Sequence, residues 1–202
     1  GMGKVAAAGA CSHLQAASTA SKGEAWLNVG IAGHQSAALG TSFLVHKATD
    51  VATGSTWYPG MSHARGLSSC SLETVDRPKT DYEPSMLYDM EASGYFAMAT
   101  KFSSLALSQA VKVVSDNANE AITKINRERV SGWIESALPT IERVADLLID
   151  LSHQEHIRLD APTEMTTILK RWRFTVSQQH EVKKLLIRWN ALSAKDITED
   201  VQ

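Results

Sequence analysis

Two short acidic motifs carry the residue types that could do acid–base chemistry in this chain. The first is Asp89-Met-Glu91, which follows a short apolar approach and precedes a helical pattern. The second is Ser115-Asp116, which comes directly after an apolar-rich run at 109–114. Carboxyl groups serve as general acids, as bases or as acceptors for hydroxyl groups. Because both motifs stand at the ends of predicted elements, they favour a site at the carboxyl edge of a sheet.

Glu91 has a simpler interpretation that the residues alone leave open. Ala92, Tyr95, Phe96 and Ala99 recur at the spacing of one helix face, so Glu91 stands at the start of a predicted helix. A carboxylate at that position is stabilised by the unpaired N–H groups and by the helix dipole. Glu91 is therefore either a site residue or a charge that only favours the helix start.

The elements that must position these residues alternate between strands and helices as far as residue 117. Beyond it, the apolar residues of 130–149 mark one long helix face, which Pro139 should kink or divide. This pattern predicts an α/β protein with a helical last third. The predicted strands are 25–31, 41–48, 68–75 and 110–115; the predicted helices are 5–17, 92–99 and 130–149, with two more beginning near 160–163 and at Thr175 or Ser177.

Composition limits the kind of protein this is. The 202 residues, 44% apolar and 21% charged, suit one domain with a sizeable core. A net charge of −2 and acids interleaved among the basic residues of the last helices argue against a nucleic-acid partner. No apolar run is long enough to span a bilayer, so no membrane partner is expected. Cys11 and Cys70 have no metal-site or disulfide-framework spacing, which predicts a cytoplasmic protein.

Four short motifs follow one another along the chain: GMGKVAAA (1–8), NVGIAG (28–33), DMEA (89–92) and VVSD (113–116). In this order they resemble motifs of the nucleoside phosphorylase/nucleosidase superfamily. That superfamily includes purine nucleoside phosphorylases, methylthioadenosine/S-adenosylhomocysteine nucleosidases and hopanoid-associated phosphorylases. The resemblance covers roughly residues 1–150. It implies a three-layer αβα sandwich with a central mixed sheet at 1–152, a helical C-terminal extension at 153–202, and cleavage of the N-glycosidic bond of a nucleoside.

The resemblance also implies roles for residues around the leaving base. Cleavage leaves electron density on the base, and a carboxyl group beside it can donate or share a proton. By resemblance Asp116 is this catalytic group, and Ser115 helps to orient it. The backbone at Ala32 and Gly33 would line the pocket for the base and the nucleophile.

A second carboxylate would act on the sugar. By resemblance Glu91 accepts hydrogen bonds from the ribose hydroxyls and stabilises the cationic sugar, while Met90 packs on the ribose. The expected partner is a small-molecule nucleoside or base. No cofactor or metal is implied, although phosphate is a co-substrate of the phosphorylases. Members are usually oligomers, so a homo-oligomer is expected.

The chain departs from the family pattern in two ways. Ile31 stands where many members carry a hydroxyl residue that contacts phosphate or water, so only its backbone N–H is offered there. Family members also have early strands and a glycine-rich phosphate loop before the motif that begins here at Gly1, and Gly1 before Met2 is typical of a tag remnant. We therefore expect an N-terminally short relative with an unpaired strand edge. The alternative function is a degenerate relative that binds a nucleoside or base without turnover, or has a structural role.

Aromatic and histidine side chains are further candidates for this pocket. Trp57, Tyr58 and Tyr82 could stack on a base, although large aromatic residues more often belong to a core or an interface. His34 and His46 lie near predicted strand ends, where a structural or solvated role competes with a pocket role. The seven histidines show no metal-ligand spacing.

Overall fold

The computed structural model describes residues 2–18, 23–61, 66–120, 125–160 and 162–192. The chain divides into two compact units, Gly1–Ser152 and His153–Gln202. A short 3-10 helix, Leu105–Leu107, leads into the last strand. In chain order the elements are α1 (Lys4–Ala17), β1 (Trp26–His34), β2 (Ser42–Asp50), β3 (Thr56–Trp57), β4 (Ser69–Thr74), β5 (Met86–Asp89), α2 (Ala92–Phe102), β6 (Ser108–Asp116), α3 (Arg127–Leu159), α4 (Glu164–Arg171) and α5 (Val176–Leu192).

Five of the strands close into a small mixed barrel. Their order is β2, β4, β5, β1 and β6, and β6 pairs back with β2. The pairs β2–β4, β4–β5 and β1–β6 are parallel, whereas β1–β5 and β2–β6 are antiparallel. Strand β3 adds a two-residue antiparallel pairing to the far end of β2. The predicted α/β class and mixed sheet are confirmed.

The finer prediction of a three-layer αβα sandwich is not confirmed, because the sheet closes on itself. Each of the five barrel strands has a partner on both sides. Closing a barrel pairs the outermost strands with each other and so removes the free edges. The expected unpaired edge is therefore absent from these five strands.

Two apolar clusters fill the first unit. The larger lies between the strands and the helices α1 and α2, and Phe96, Leu87 and Val45 are fully buried in it. The smaller joins Leu44 and Val111 to one face of α3. Burial of this kind stabilises a fold by about 25 cal/mol per Å² of apolar surface. All nine residues of β6 are buried, so this strand lies at the centre of the packing.

The first helix packs on α2 at a point where α2 has no side chain. An added Cβ on Gly94 would overlap the carbonyl group of Lys4. At the same contact, Asp50 accepts hydrogen bonds from Lys4 Nζ at 3.1 Å and from Ser93 Oγ at 2.7 Å. Burial alone would raise the pKa of Asp50, but these donors and the N–H of Thr53 lower it to about 2. The ionised Asp50 thus ties α1, β2 and α2 together.

The predicted elements are confirmed in place, with three differences. The two-residue strand β3 was not predicted. Strand β5 is only four residues long and was expected as an apolar approach rather than a strand. Helix α3 runs without a break through Pro139, so the proline does not divide it. Ala137 and Val144 are buried on either side of Pro139, and their packing offsets the hydrogen bond that a proline removes.

The second unit contains α4 and α5, which pack against each other. Met165 on α4 and Leu186 on α5 are its buried apolar residues among those that the structure describes. Across the described ranges of both units, none of the helices combines the length and the apolar character that crossing a membrane requires.

Candidate active site

A cavity of about 350 Å³ lies where β1, β5 and β6 end. Strands β1 and β6 are parallel, so their carboxyl ends meet there, and Gly33 of β1 is in register with Asp116 of β6. The antiparallel β1–β5 pairing sets Gly33 opposite Tyr88. A cavity of this size is typical of a site for a small molecule. All six residues assigned to the site from the sequence line it: Ala32, Gly33, Met90, Glu91, Ser115 and Asp116.

Asp116 is buried, and both of its carboxylate oxygens accept hydrogen bonds. The hydroxyl of Ser115 donates to Oδ1 at 2.6 Å. The phenol of Tyr82 donates to Oδ2 in a close contact. Each carboxylate oxygen has two lone pairs, so Oδ2 still has one for a ligand in the cavity. Asp116 therefore lies in a fixed orientation with spare acceptor capacity.

The backbone of Gly33 lies directly against the hydrogen-bonded side chains of Tyr82 and Asp116. A Cβ at Gly33 would lie 2.7 Å from Cε1 of Tyr82 and 2.9 Å from Oδ2 of Asp116. Real Cβ atoms do not approach other atoms so closely, so a side chain here would displace one of the two. Gly33, whose backbone was expected to line the pocket, therefore also makes room for the Tyr82–Asp116 contact.

In the first acidic motif, Glu91 lines the cavity, whereas Asp89 accepts a backbone N–H at the start of α2. Glu91 stands at the N-cap of α2 but makes no capping bond there. Its Oε1 accepts the backbone N–H of Gly3 at 2.8 Å, and its carboxylate lines the cavity. Asp89 satisfies the helix start instead, through the N–H of Ala92 at 2.9 Å. The interpretation of Glu91 as only a helix-start charge is therefore weakened.

Asp89 is one half of a buried ion pair. Its Oδ2 lies 2.8 Å from Nζ of Lys112, and both side chains are almost fully buried. Thr74 donates a further hydrogen bond to Oδ1 at 2.8 Å. A buried charge is tolerated when it is paired and hydrogen-bonded in this way. Asp89 thus fixes the β5–α2 junction from which Met90 and Glu91 extend.

Several other candidates lie outside the cavity. Trp57 stacks on Phe96 in the core at 6.2 Å, and Tyr58 is 63% exposed. Nδ1 of His34 accepts the backbone N–H of residue 37 at 2.9 Å, and burial lowers the pKa of this ring. His46 bonds through both ring nitrogens to serine hydroxyls of β4.

Tyr82 is the aromatic candidate that does line the cavity, but not as a free stacking surface. Its hydroxyl is committed to Asp116, and its ring packs on Tyr88 with centroids 5.7 Å apart. Ile31 also lines the cavity and presents an apolar side chain. Among the described residues, no group of three His, Cys, Asp or Glu side chains is arranged to hold a metal ion.

Comparisons with known proteins give structural likeness only. No family model and no curated protein matches the sequence. A variant of the nucleosidase MTAN from Chlamydia trachomatis is 18% identical, aligns over 74% of each chain and has a TM-score of 0.52. The methylthioadenosine/S-adenosylhomocysteine nucleosidase of Colwellia psychrerythraea, in complex with adenine, is 18% identical over 75% of this chain and 76% of its own, with a TM-score of 0.51.

These similarities establish the fold. The chain has the fold of the methylthioadenosine/S-adenosylhomocysteine nucleosidases, which are members of the nucleoside phosphorylase/nucleosidase superfamily. The resemblance inferred from four short motifs is confirmed at this level. The roles of the individual site residues stay predictions.

Proposed function

We propose that this protein cleaves the N-glycosidic bond of a purine nucleoside or a related N-glycoside. The observation that carries the proposal is that two carboxylates, Asp116 and Glu91, line one cavity at the strand ends. Such a pair can serve the two charges that develop when the bond breaks, negative on the base and positive on the sugar. The fold shared with nucleosidases supports the same chemistry.

Asp116 is the catalytic acid in this proposal. It donates a proton to a nitrogen of the leaving base or shares one with it, and Ser115 holds its Oδ1 from the other side. The backbone of Ala32 and Gly33 forms the wall against the base. These two residues line the cavity beside Asp116.

Glu91 is the sugar-binding acid. The N–H of Gly3 takes one acceptor position on Oε1 and the N–H of Met90 takes one on Oε2, so a lone pair remains on each oxygen for ribose hydroxyls. Met90 lines the cavity next to Glu91 and would pack on the ribose. We propose no cofactor, with phosphate or water as the nucleophile. In the same proposal, residues 1–152 form the nucleosidase-like domain, 153–202 form a helical extension, and the protein is a cytoplasmic homo-oligomer.

One observation favours a second candidate function, binding of a nucleoside or base without turnover. Ile31 lines the cavity with an apolar side chain, and its position in the motif is where many members of the superfamily carry a hydroxyl residue. A ligand could then bind while phosphate or water is poorly held. Turnover separates the two candidates.

The test is chromatographic detection of free base. Purified protein is incubated with purine and pyrimidine nucleosides, including methylthioadenosine and S-adenosylhomocysteine, with and without phosphate. Wild-type protein should release base, and Asp116→Asn should reduce kcat by about a hundredfold or more. Asp81→Asn, an exposed aspartate outside the cavity, is the matched control and should retain wild-type activity.

The pattern of release decides the reaction. Release that requires phosphate identifies a phosphorylase, and release without phosphate identifies a nucleosidase. Ligand binding by calorimetry with no release from any nucleoside would contradict the enzyme and support the binding protein. Equal loss of activity in both aspartate variants would remove Asp116 from the catalytic role.

A further inference from the structure

Tyr82 contacts Asp116 but has no role in the reaction as proposed above. It belongs to the segment between β4 and β5, and its phenol reaches Oδ2 of Asp116, 34 residues away in the chain. Both side chains are buried, with exposed fractions of 8% and 4%. Tyr82 is fixed from behind by the ring of Tyr88. The phenol is therefore held against Asp116 by the fold.

The direction of this hydrogen bond is set by chemistry. Burial raises the pKa of the Tyr82 phenol, and so do the hydrogen bond to Asp116 and the charge of that carboxylate. The phenol therefore keeps its proton across the working range of pH and acts as the donor. With Ser115 donating to Oδ1, each oxygen of Asp116 receives one neutral donor.

We propose that Tyr82 is a positioning residue for Asp116: its phenol fixes the plane of the carboxyl group and stabilises the negative charge that forms on Oδ2 during the reaction. This role rests on the proposed function of Asp116 as the acid. In that step the bond from the sugar C1′ to the base breaks and its electron pair stays on the base, while C1′ forms a new bond to the phosphate or water oxygen. A nitrogen of the base receives the proton of Asp116 Oδ2 and a carboxylate is left; when water is the nucleophile, the proton that it loses goes to solvent. The phenol stabilises that developing negative charge, since hydrogen bonds to ionised acceptors are the stronger ones.

Several other titratable groups lie along the cavity or next to it. Asp89 is paired with Lys112, and Glu91 accepts the N–H of Gly3. His34, next to Gly33 on β1, accepts two backbone N–H groups through Nδ1. The remaining titratable side chains along the cavity are Lys79, whose ammonium lies 4.2 Å from the ring centre of Tyr88, and Tyr88 itself. Within this set, Tyr82 is the side chain whose donor contacts Asp116 directly.

The variant that tests this role is Tyr82→Phe, which removes the hydroxyl and keeps the ring. A hydrogen bond to the charged form of a carboxyl group favours that form, so after loss of this donor the carboxyl-carbon NMR signal of Asp116 should titrate at higher pH than in wild type. Asp116→Asn identifies that signal by its absence. Tyr58→Phe, at an exposed tyrosine outside the cavity, is the matched control and should leave the titration unchanged.

Kinetics give the second measurement. In Tyr82→Phe, kcat should fall about tenfold with little change in KM, because the lost bond acts on the charge that develops in the transition state. The alkaline limb of its pH profile should move upward together with the NMR titration. If Tyr82→Phe fails to fold, tyrosine fluorinated beside its hydroxyl is incorporated instead. This stronger donor should move the Asp116 titration to lower pH.

The NMR and kinetic measurements test the proposed function and the role of Tyr82 separately. If wild-type protein releases no base, the proposed function fails, and with it the catalytic part of the role of Tyr82, while the NMR titration still decides whether Tyr82 controls the protonation of Asp116. An Asp116 titration that is identical in wild type and Tyr82→Phe overturns the positioning role. A fall in kcat with an unchanged pH profile also overturns it, since lost packing alone would produce that result.

Discussion

At Gly33 the backbone of β1 passes so close to Tyr82 and Asp116 that no side chain fits between them. The distances from a Cβ to these neighbours, 2.7–2.9 Å, are below those that real structures tolerate. The neighbours cannot easily yield, because Tyr82 is packed on Tyr88 and Asp116 is held by Ser115. The absence of a side chain at Gly33 is therefore what leaves room for the contact between Tyr82 and Asp116.

We therefore expect Gly33→Ala to damage the site more than the fold. Overpacking should lower the free energy of unfolding by about 1–3 kcal/mol. Displacement of Asp116 should lower kcat/KM by about a hundredfold, which is typical of a catalytic group moved by about 1 Å. Urea unfolding and a base-release assay measure the two effects.

The control for this substitution is Gly132→Ala in α3, where an added Cβ meets nothing within 4 Å. Alanine is favoured over glycine inside a helix by about 0.5–1 kcal/mol, so this variant should be slightly more stable and equally active. If Gly33→Ala were as active as Gly132→Ala, the interlocked arrangement of Gly33, Tyr82 and Asp116 would be wrong.

The sequence indicates the site acids but not the partner that holds one of them. Asp116 follows an apolar run and Glu91 precedes a helical pattern, so strand-end reasoning brings both to one edge of the sheet. Tyr82 lies in a polar loop with no periodicity, and its contact with Asp116 depends on how that loop folds. Lys112 is the one charged residue within the apolar-rich run 109–114, and only the fold reveals its pairing with Asp89.

At the scale of elements, the packing of α1 on α2 links the core to the site. Gly94 lets the first turn of α1 approach α2, with the carbonyl of Lys4 against its Cα. The residue just before α1, Gly3, donates its N–H to Glu91. The position of α1 therefore also determines what Glu91 accepts.

Gly94→Ala should consequently separate the two helices. Because the added Cβ would overlap backbone rather than a flexible side chain, we expect the free energy of unfolding to fall by about 3 kcal/mol. Gly9→Ala, at a position of α1 with nothing within 4 Å, should be neutral or stabilising. Urea midpoints compare the two variants, and a Gly94→Ala midpoint as high as that of Gly9→Ala would show that α1 does not pack on α2 as described.

The helices and strands that were predicted correctly are those whose sequence has a strong local pattern. The alanine-rich α1 and the apolar strands β1, β2, β4 and β6 are found where the sequence indicates them. Strand β5 was missed because its four residues give too short a pattern, and it forms through its pairing with β4 and β1. Pro139 was expected to kink or divide α3, and the helix continues through it undivided, with Ala137 and Val144 buried on either side.

In the molecule as a whole, the feature that the local sequence pattern could not predict is the closure of the sheet into a barrel. It depends on the antiparallel pairing of Ser42 with Val113 and of Leu44 with Val111, residues far apart in the chain. No periodicity in either strand specifies a partner at that distance. The consequence is that β6 is paired along both sides and buried over its full length.

Closure of the barrel predicts which backbone amides exchange with solvent first. Amides in elements with many buried contacts exchange with solvent only through global unfolding, whereas poorly supported edges open locally. The amides of β6 should therefore exchange at the rate set by the global free energy of unfolding. Those of β3, a two-residue pairing with an exposed Thr56, should exchange far faster. Hydrogen exchange followed by NMR measures both. If β6 exchanged as fast as β3, the β2–β6 pairing would not persist in solution, and the strand end that carries Ser115 and Asp116 would lack the rigid support on which their proposed chemistry depends.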